Sequence, residues 1–84
     1  MVFILVKAPR VTREFARLSL KDRARVEGVF GRLLEDPFSG KKLMGELEGY
    51  YSARVWPYRV IYQVLKKEQA ILVRKIEDRK DVYK

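Results

Sequence analysis

The sequence of 84 residues predicts one α+β domain: an N-terminal strand, a two-helix hairpin, then a three-stranded antiparallel meander, with the helices packed on one face of a small sheet. Three observations predict it. An apolar run opens the chain, two segments with helically spaced apolar residues follow, and the second half alternates β-rich segments with short polar or proline-containing turns. Residues 1–84 are enough for one small core and too few for two. Hydrophobic residues make up 48% of the chain and are spread along it, which favours a packed globule over a disordered chain.

The first element is Val2-Phe3-Ile4-Leu5-Val6, apolar at every position, as expected of a strand covered on both faces. The run is short and has neither a cationic leader nor a small-residue cleavage site, so it reads as neither signal peptide nor membrane span, and a cytoplasmic protein is expected. Pro9 suits a first helical turn, after which Val11, Phe15 and Leu18 recur at i, i+4 and i+7. Ser19 is placed to cap a second helix, with Asp22 three residues on. Val26, Val29, Phe30, Leu33 and Leu34 form its core stripe, and Asp36-Pro37 ends it, because a residue before proline disfavours the helical region. Gly28 and Gly31 each cost about 1 kcal/mol relative to alanine inside a helix, and close approach of another backbone is the expected reason. After a Pro, Ser and Gly loop, "LMGELEGYY", "YSARVW", "YRVIYQVLK" and "AILVRKI" read as the meander.

Composition removes whole classes of chemistry. With no cysteine and no histidine, disulfides, thiolate metal sites and mechanisms built on a thiol or an imidazole are excluded together. No metal and no cofactor is expected, and Arg, Lys, Asp, Glu and Tyr remain. Nineteen Lys and Arg against eleven Asp and Glu give a formal charge of +8, which favours a polyanionic or acidic partner.

Strand alternation then selects a face. Tyr50, Ser52, Arg54 and Trp56 point one way, and Tyr51, Ala53 and Val55 the other. If Pro57-Tyr58 is a two-residue turn, Trp56 lies opposite Arg59 and Arg54 opposite Ile61, and the two arginines share a face a register apart. Ala53, Val55, Val60, Tyr62 and Val64 then form the apolar face that meets the helices. Arg54 and Arg59, flanked by Tyr50 and Trp56, make a cradle for a phosphate backbone with room to stack a base, and Lys42 joins them as a candidate contact. Equally, each arginine pairs with a nearby acid and the aromatics cover the sheet.

With these elements in place, the chain resembles the RelE/ParE superfamily of small toxins from bacterial and archaeal toxin–antitoxin pairs. The resemblance rests on the strand–helix–helix–meander order, on "LMGELEGYYSARVWPYRVIYQV" and on the closing "IEDRKDVYK". It implies either of two activities. RelE-like members cut messenger RNA in the ribosomal A site without a metal, and ParE-like members inhibit DNA gyrase; the terminal "RKDVY" favours the ribonuclease branch. Ribosome, messenger RNA and a cognate antitoxin are the implied partners, the last in a hetero-oligomer. Matched by position, Arg59 is similar to the family arginine at the scissile phosphate, Arg54 to a basic residue on the same face, Arg79 to the arginine of an "HR" pair, and Tyr83 to a terminal catalytic tyrosine. A fixed guanidinium suits that work, because charge builds on the non-bridging phosphate oxygens as a 2′-hydroxyl attacks.

The departures are as specific as the matches. Asp78 stands where many relatives have the histidine before Arg79, Glu77 where one branch has a further arginine, and Met44 where that branch has a basic residue. Three readings of Glu77 and Asp78 stay open. One acid is a general base on the 2′-hydroxyl, with a pKa raised toward neutrality. Alternatively the acids pair with Arg79, Arg74 or Lys75 and orient the last strand, or cleavage has been lost and a binding module remains. Tyr83 needs cationic neighbours to act as a base, since a phenol titrates at about pH 10; otherwise its ring packs under the sheet.

Overall fold

Pro9 and Ser19 set where the two helices begin in the computed structural model of the chain, which describes residues 2–78. Helix α1 (Pro9–Ala16) carries Pro9 at its start, where the missing N–H breaks no intrahelical bond. Helix α2 (Leu20–Glu35) follows Ser19, whose Oγ accepts from the Asp22 N–H at 3.1 Å. It ends ahead of Asp36-Pro37, as expected. Leu18 falls beyond α1, in the link between the helices. Val26, Val29, Phe30 and Leu33 are buried, but Leu34 is exposed: one residue past Leu33, it is turned about 100° out of the core stripe.

The described residues form a five-stranded mixed sheet in place of the expected three-stranded meander plus a lone strand. Its strands are β1 (Ile4–Lys7), β2 (Lys41–Lys42), β3 (Tyr50–Val55), β4 (Tyr58–Leu65) and β5 (Ala70–Asp78), in the order β1-β5-β4-β3-β2. Strands β3, β4 and β5 are the antiparallel meander, β2 adds antiparallel to β3, and β1 adds parallel to β5. Strand β1 therefore lies at an edge and is not covered on both faces. Leu5 packs against the core, whereas Ile4 and Val6, aligned with Ala70 and Leu72, point away from the helices and are exposed.

Both helices pack on one face. Val11 and the α2 stripe meet Val60, Tyr62, Ile71, Val73 and Ile76 there, with Ala53, Val55, Tyr58 and Val64 around them. Tyr62 is wholly buried, and its hydroxyl donates to the Pro37 carbonyl at 2.9 Å while accepting from the Gly40 N–H at 3.1 Å. That latch holds the loop after α2 against the sheet. Gly40 is needed for it, since a Cβ there would sit 2.9 Å from the Ser52 carbonyl and closer still to the Tyr62 hydroxyl. Gly28 and Gly31 face open space instead, so the close backbone approach expected at these positions is not found.

Two strands are only partly covered along their length. Strand β2 covers β3 only at Tyr51 and Ser52, and β1 covers β5 only from Ala70 to Val73. Past the end of β1, Glu14 of α1 accepts the Ile76 N–H at 2.9 Å, which caps part of the open edge of β5. No helix among the described residues is long and apolar enough to cross a membrane.

Candidate nucleic-acid interface

Register decides which charges meet on the face away from the helices. Arg54 lies directly opposite Arg59, and Arg59 directly opposite Glu77, so these side chains form one rung across β3, β4 and β5. The next rung is Lys41, Ser52, Ile61 and Lys75. The two-residue turn is Trp56-Pro57 and not Pro57-Tyr58; Arg54 therefore faces Arg59 rather than Ile61, and Trp56 sits in the turn rather than opposite Arg59. The register moves by two, so the arginines keep the shared face that alternation implies. Ile61 and Ser52 are buried on this side although no described helix covers it. The long stems of the flanking Lys and Arg side chains suit that cover, with their heads kept in water.

Glu77 is the acid that reaches this rung. Its Oε2 accepts from Nε of Arg59 at 2.9 Å and from Nη2 of the same guanidinium, and its Oε1 lies 2.9 Å from Nζ of Lys75. Burial pushes its pKa up, but hydrogen bonds from Lys75 and Arg59, together with their charges, outweigh that and hold it below the usual carboxylate value. Lys75 is one of the partners expected from sequence; Arg59 is not. Among the described residues no carboxylate lies within 4.0 Å of Arg54.

Adjacent strand residues point to opposite faces, which separates the two acids. Asp78 pairs across the ladder with Tyr58, on the helix side. The Tyr58 hydroxyl donates to Asp22 of α2 at 2.9 Å. Burial, that bond and the charges of Asp22 and Asp78 raise the phenol's pKa, against Arg25, which lowers it. Asp78 thus belongs to a different face from Arg54 and Arg59.

The remaining candidates divide as cleanly. Tyr50, opposite Gln63, shares the arginine face two residues beyond Ser52. Trp56 is 59% exposed at the hairpin tip next to the arginine rung. Lys42 pairs with Tyr51 and so points to the helix side, and Lys41, opposite Ser52, takes the place expected of it. Arg79 and Tyr83 lie outside the described residues. Lys41, Arg54 and Arg59 also border a groove of about 720 Å³ between the end of α2 and the edge of β3, where Arg32 and the acids Glu35 and Asp36 line the helix side. Lys41 was findable only through the β2 ladder, for which two lysines carry no strand signal. Lys75 follows from alternation once Arg59 and Glu77 are paired.

A small two-helix, mixed-sheet domain with this basic rung is the architecture that the resemblance to toxins of toxin–antitoxin pairs implies, and known proteins bear the class out. Residues 6–83 match the family model described as the ParE toxin of the type II toxin–antitoxin system, parDE. Over 62 residues the chain is 36% identical to Toxin RelG of Mycobacterium tuberculosis, covering 73% of this chain and 71% of that one. It is 48% identical over 54 residues to Toxin RelE of the same organism, covering 62% of this chain and spanning 56% of that relative's length. Among solved structures, the toxin–antitoxin complex RelBE2 from M. tuberculosis contains a chain similar over 94% of this one and 100% of its own length, with 27% identity and a TM-score of 0.84. The chain belongs to the RelE/ParE family of type II toxins.

Proposed function

We propose that this toxin is a ribosome-dependent, metal-independent endoribonuclease that cuts messenger RNA in the A site and is neutralised by a cognate antitoxin in a hetero-oligomer. The observation that carries the reading is the Arg54–Arg59 rung on the face opposite the helices, with Lys41 on the neighbouring rung. Two guanidiniums side by side suit a phosphodiester whose non-bridging oxygens gain charge. The 2′-hydroxyl oxygen attacks the adjacent phosphorus, the 5′-oxygen leaves with a proton, and a 2′,3′-cyclic phosphate remains. Arg54 and Arg59 stabilise the crowded, doubly negative intermediate, while Tyr50 and Trp56 offer rings on which bases stack. Glu77 is a poor proton acceptor, since both its oxygens are held by cations and its pKa is lowered. Its role is to hold Arg59. Asp78 faces the helices and takes no part. Tyr83 is the group left to move the 2′-hydroxyl proton.

The antitoxin reading has its own support, since the similar M. tuberculosis chain is part of a toxin–antitoxin complex. The test is cleavage of messenger RNA on purified ribosomes. Arg59→Ala abolishes it and Tyr83→Phe slows it by at least about a hundredfold, as expected for loss of a proton-transfer group, whereas Asp78→Asn cuts normally. A second reading, gyrase inhibition, is favoured by the match to the ParE family model. Intact messenger RNA together with inhibition of supercoiling by the pure protein would decide for it.

A further inference from the structure

We propose that Glu77 is a resident counter-anion that competes with the ligand's phosphate for Arg59, so that the site fills only as Glu77 is displaced from the guanidinium. This rests on the reading of Arg54 and Arg59 as a phosphate site. What it adds is the state of that site before the ligand arrives and the direction of its regulation.

The geometry is that of an occupied anion site. A phosphate approaching Arg59 in its strongest mode would take the side-on edge of the fork, with two parallel N–H donors. Glu77 already holds that edge through Nε and Nη2, and its carboxylate is largely screened from water, with 17% of the side chain exposed. The end-on edge, Nη1 with the second Nη2 hydrogen, is what is left. Lys75 supplies the other half of the device. Its Nζ binds the opposite carboxylate oxygen, so Glu77 keeps a cationic partner when Arg59 turns away, and no bare buried charge is created.

Order along the rung sets a sequence of events. Arg54 lies at one end, exposed and with no carboxylate within 4.0 Å among the described residues; Arg59 is in the middle; Glu77 is at the far end. A phosphate meets Arg54 first and then draws Arg59 from Glu77 toward itself. A bare acid on this rung would merely repel the polyanion. An acid clamped between Arg59 and Lys75 also keeps the middle guanidinium occupied until a ligand strong enough to replace it is present. Weak or singly anchored polyanions are thereby disfavoured relative to a backbone that engages both arginines at once.

The test is binding of a fluorescent single-stranded RNA whose 2′-hydroxyls are methylated, so that cleavage does not intrude. Anisotropy titrations at several salt concentrations compare wild type with Glu77→Gln, Glu77→Asp and Arg54→Ala. Glutamine keeps the shape and one acceptor but removes the charge; aspartate keeps the charge but is too short to bridge both cations. Glu77→Gln is expected to bind about tenfold tighter at low salt, with a salt dependence steeper by about 0.7 in log–log slope, the increment of one further phosphate contact on a single strand. Glu77→Asp falls between Glu77→Gln and wild type, and Arg54→Ala binds more weakly. Wild-type affinity and slope in both Glu77 variants, with weaker binding by Arg54→Ala, would overturn the competition while leaving the phosphate site standing. Wild-type binding by Arg54→Ala as well would remove the phosphate site, and the competition with it. If Glu77→Gln does not fold, Glu77→Asp decides by the same comparison.

Discussion

Tyr62→Phe tests how the loop that carries Lys41 is held. The ring is fully buried and its hydroxyl has two partners, the Pro37 carbonyl at 2.9 Å and the Gly40 N–H at 3.1 Å. Phenylalanine fills nearly the same space, so the packing contribution is retained. What is lost is one donor and one acceptor at a place where the abandoned backbone groups have little water to turn to. A buried group left unsatisfied costs about 1–3 kcal/mol, and with Gly40 only half buried a total of about 2 kcal/mol is expected. For a domain of this size that lowers the melting temperature by about 8–16 °C. Circular dichroism melts and urea titrations measure both quantities. The same variant should bind RNA less tightly, because Lys41 follows the latched loop directly and reaches the arginine face through its pairing with Ser52. A Tyr62→Phe protein within about 0.5 kcal/mol of wild type, the range of an ordinary surface change, would refute the latch as the element holding this loop.

Glu77 and two glycines each carry a further expected outcome. Glu77 has a folded pKa below its ordinary value of 4.5, so the fold favours its ionised form; that stability is present above about pH 4.5 and is lost as pH falls through the lowered value. Urea midpoints taken from about pH 6 down to about pH 3 should therefore drop more steeply in wild type than in Glu77→Gln, and parallel curves would contradict the ion pair. One substitution, Gly→Ala, should change sign with position. At Gly28, in open space on α2, it is expected to stabilise by about 1 kcal/mol, whereas at Gly40 the new Cβ meets Tyr62 and Ser52 and lowers the melting temperature.

Local signals were legible in the sequence, and signals that depend on a neighbouring strand were not. Ser19 and Asp22 sit three residues apart and make the cap that spacing implies, because both groups belong to the same turn. The position of β1 had no such signal: an all-apolar pentapeptide reads the same in the middle of a sheet or at its edge, and only the ladder with β5 puts Ile4 and Val6 on the open side. Lys41 and Lys42 are indistinguishable in sequence for the same reason. A two-residue strand has no alternation of its own, and its facing is inherited from Ser52 and Tyr51. Trp56-Pro57 closes the hairpin two residues earlier in register than Pro57-Tyr58 would, yet the arginines stayed together, because an even shift preserves the face.

The tail acids show how far that logic reaches. Glu77 and Asp78 are neighbours with similar chemistry, and by composition either can serve an RNA site. Once β5 is a strand through Asp78, they cannot share a face, and the register assigns Glu77 to Arg59 and Asp78 to Tyr58. An imidazolium immediately before Arg79 would occupy the Asp78 position and so start from the helix side of the sheet. The change from a basic residue to Glu77 is therefore the consequential one for the arginine face. In place of a charge that would add to Arg54 and Arg59 it sets one that binds Arg59 directly, and under the proposed phosphate site the ligand is admitted as that bond gives way.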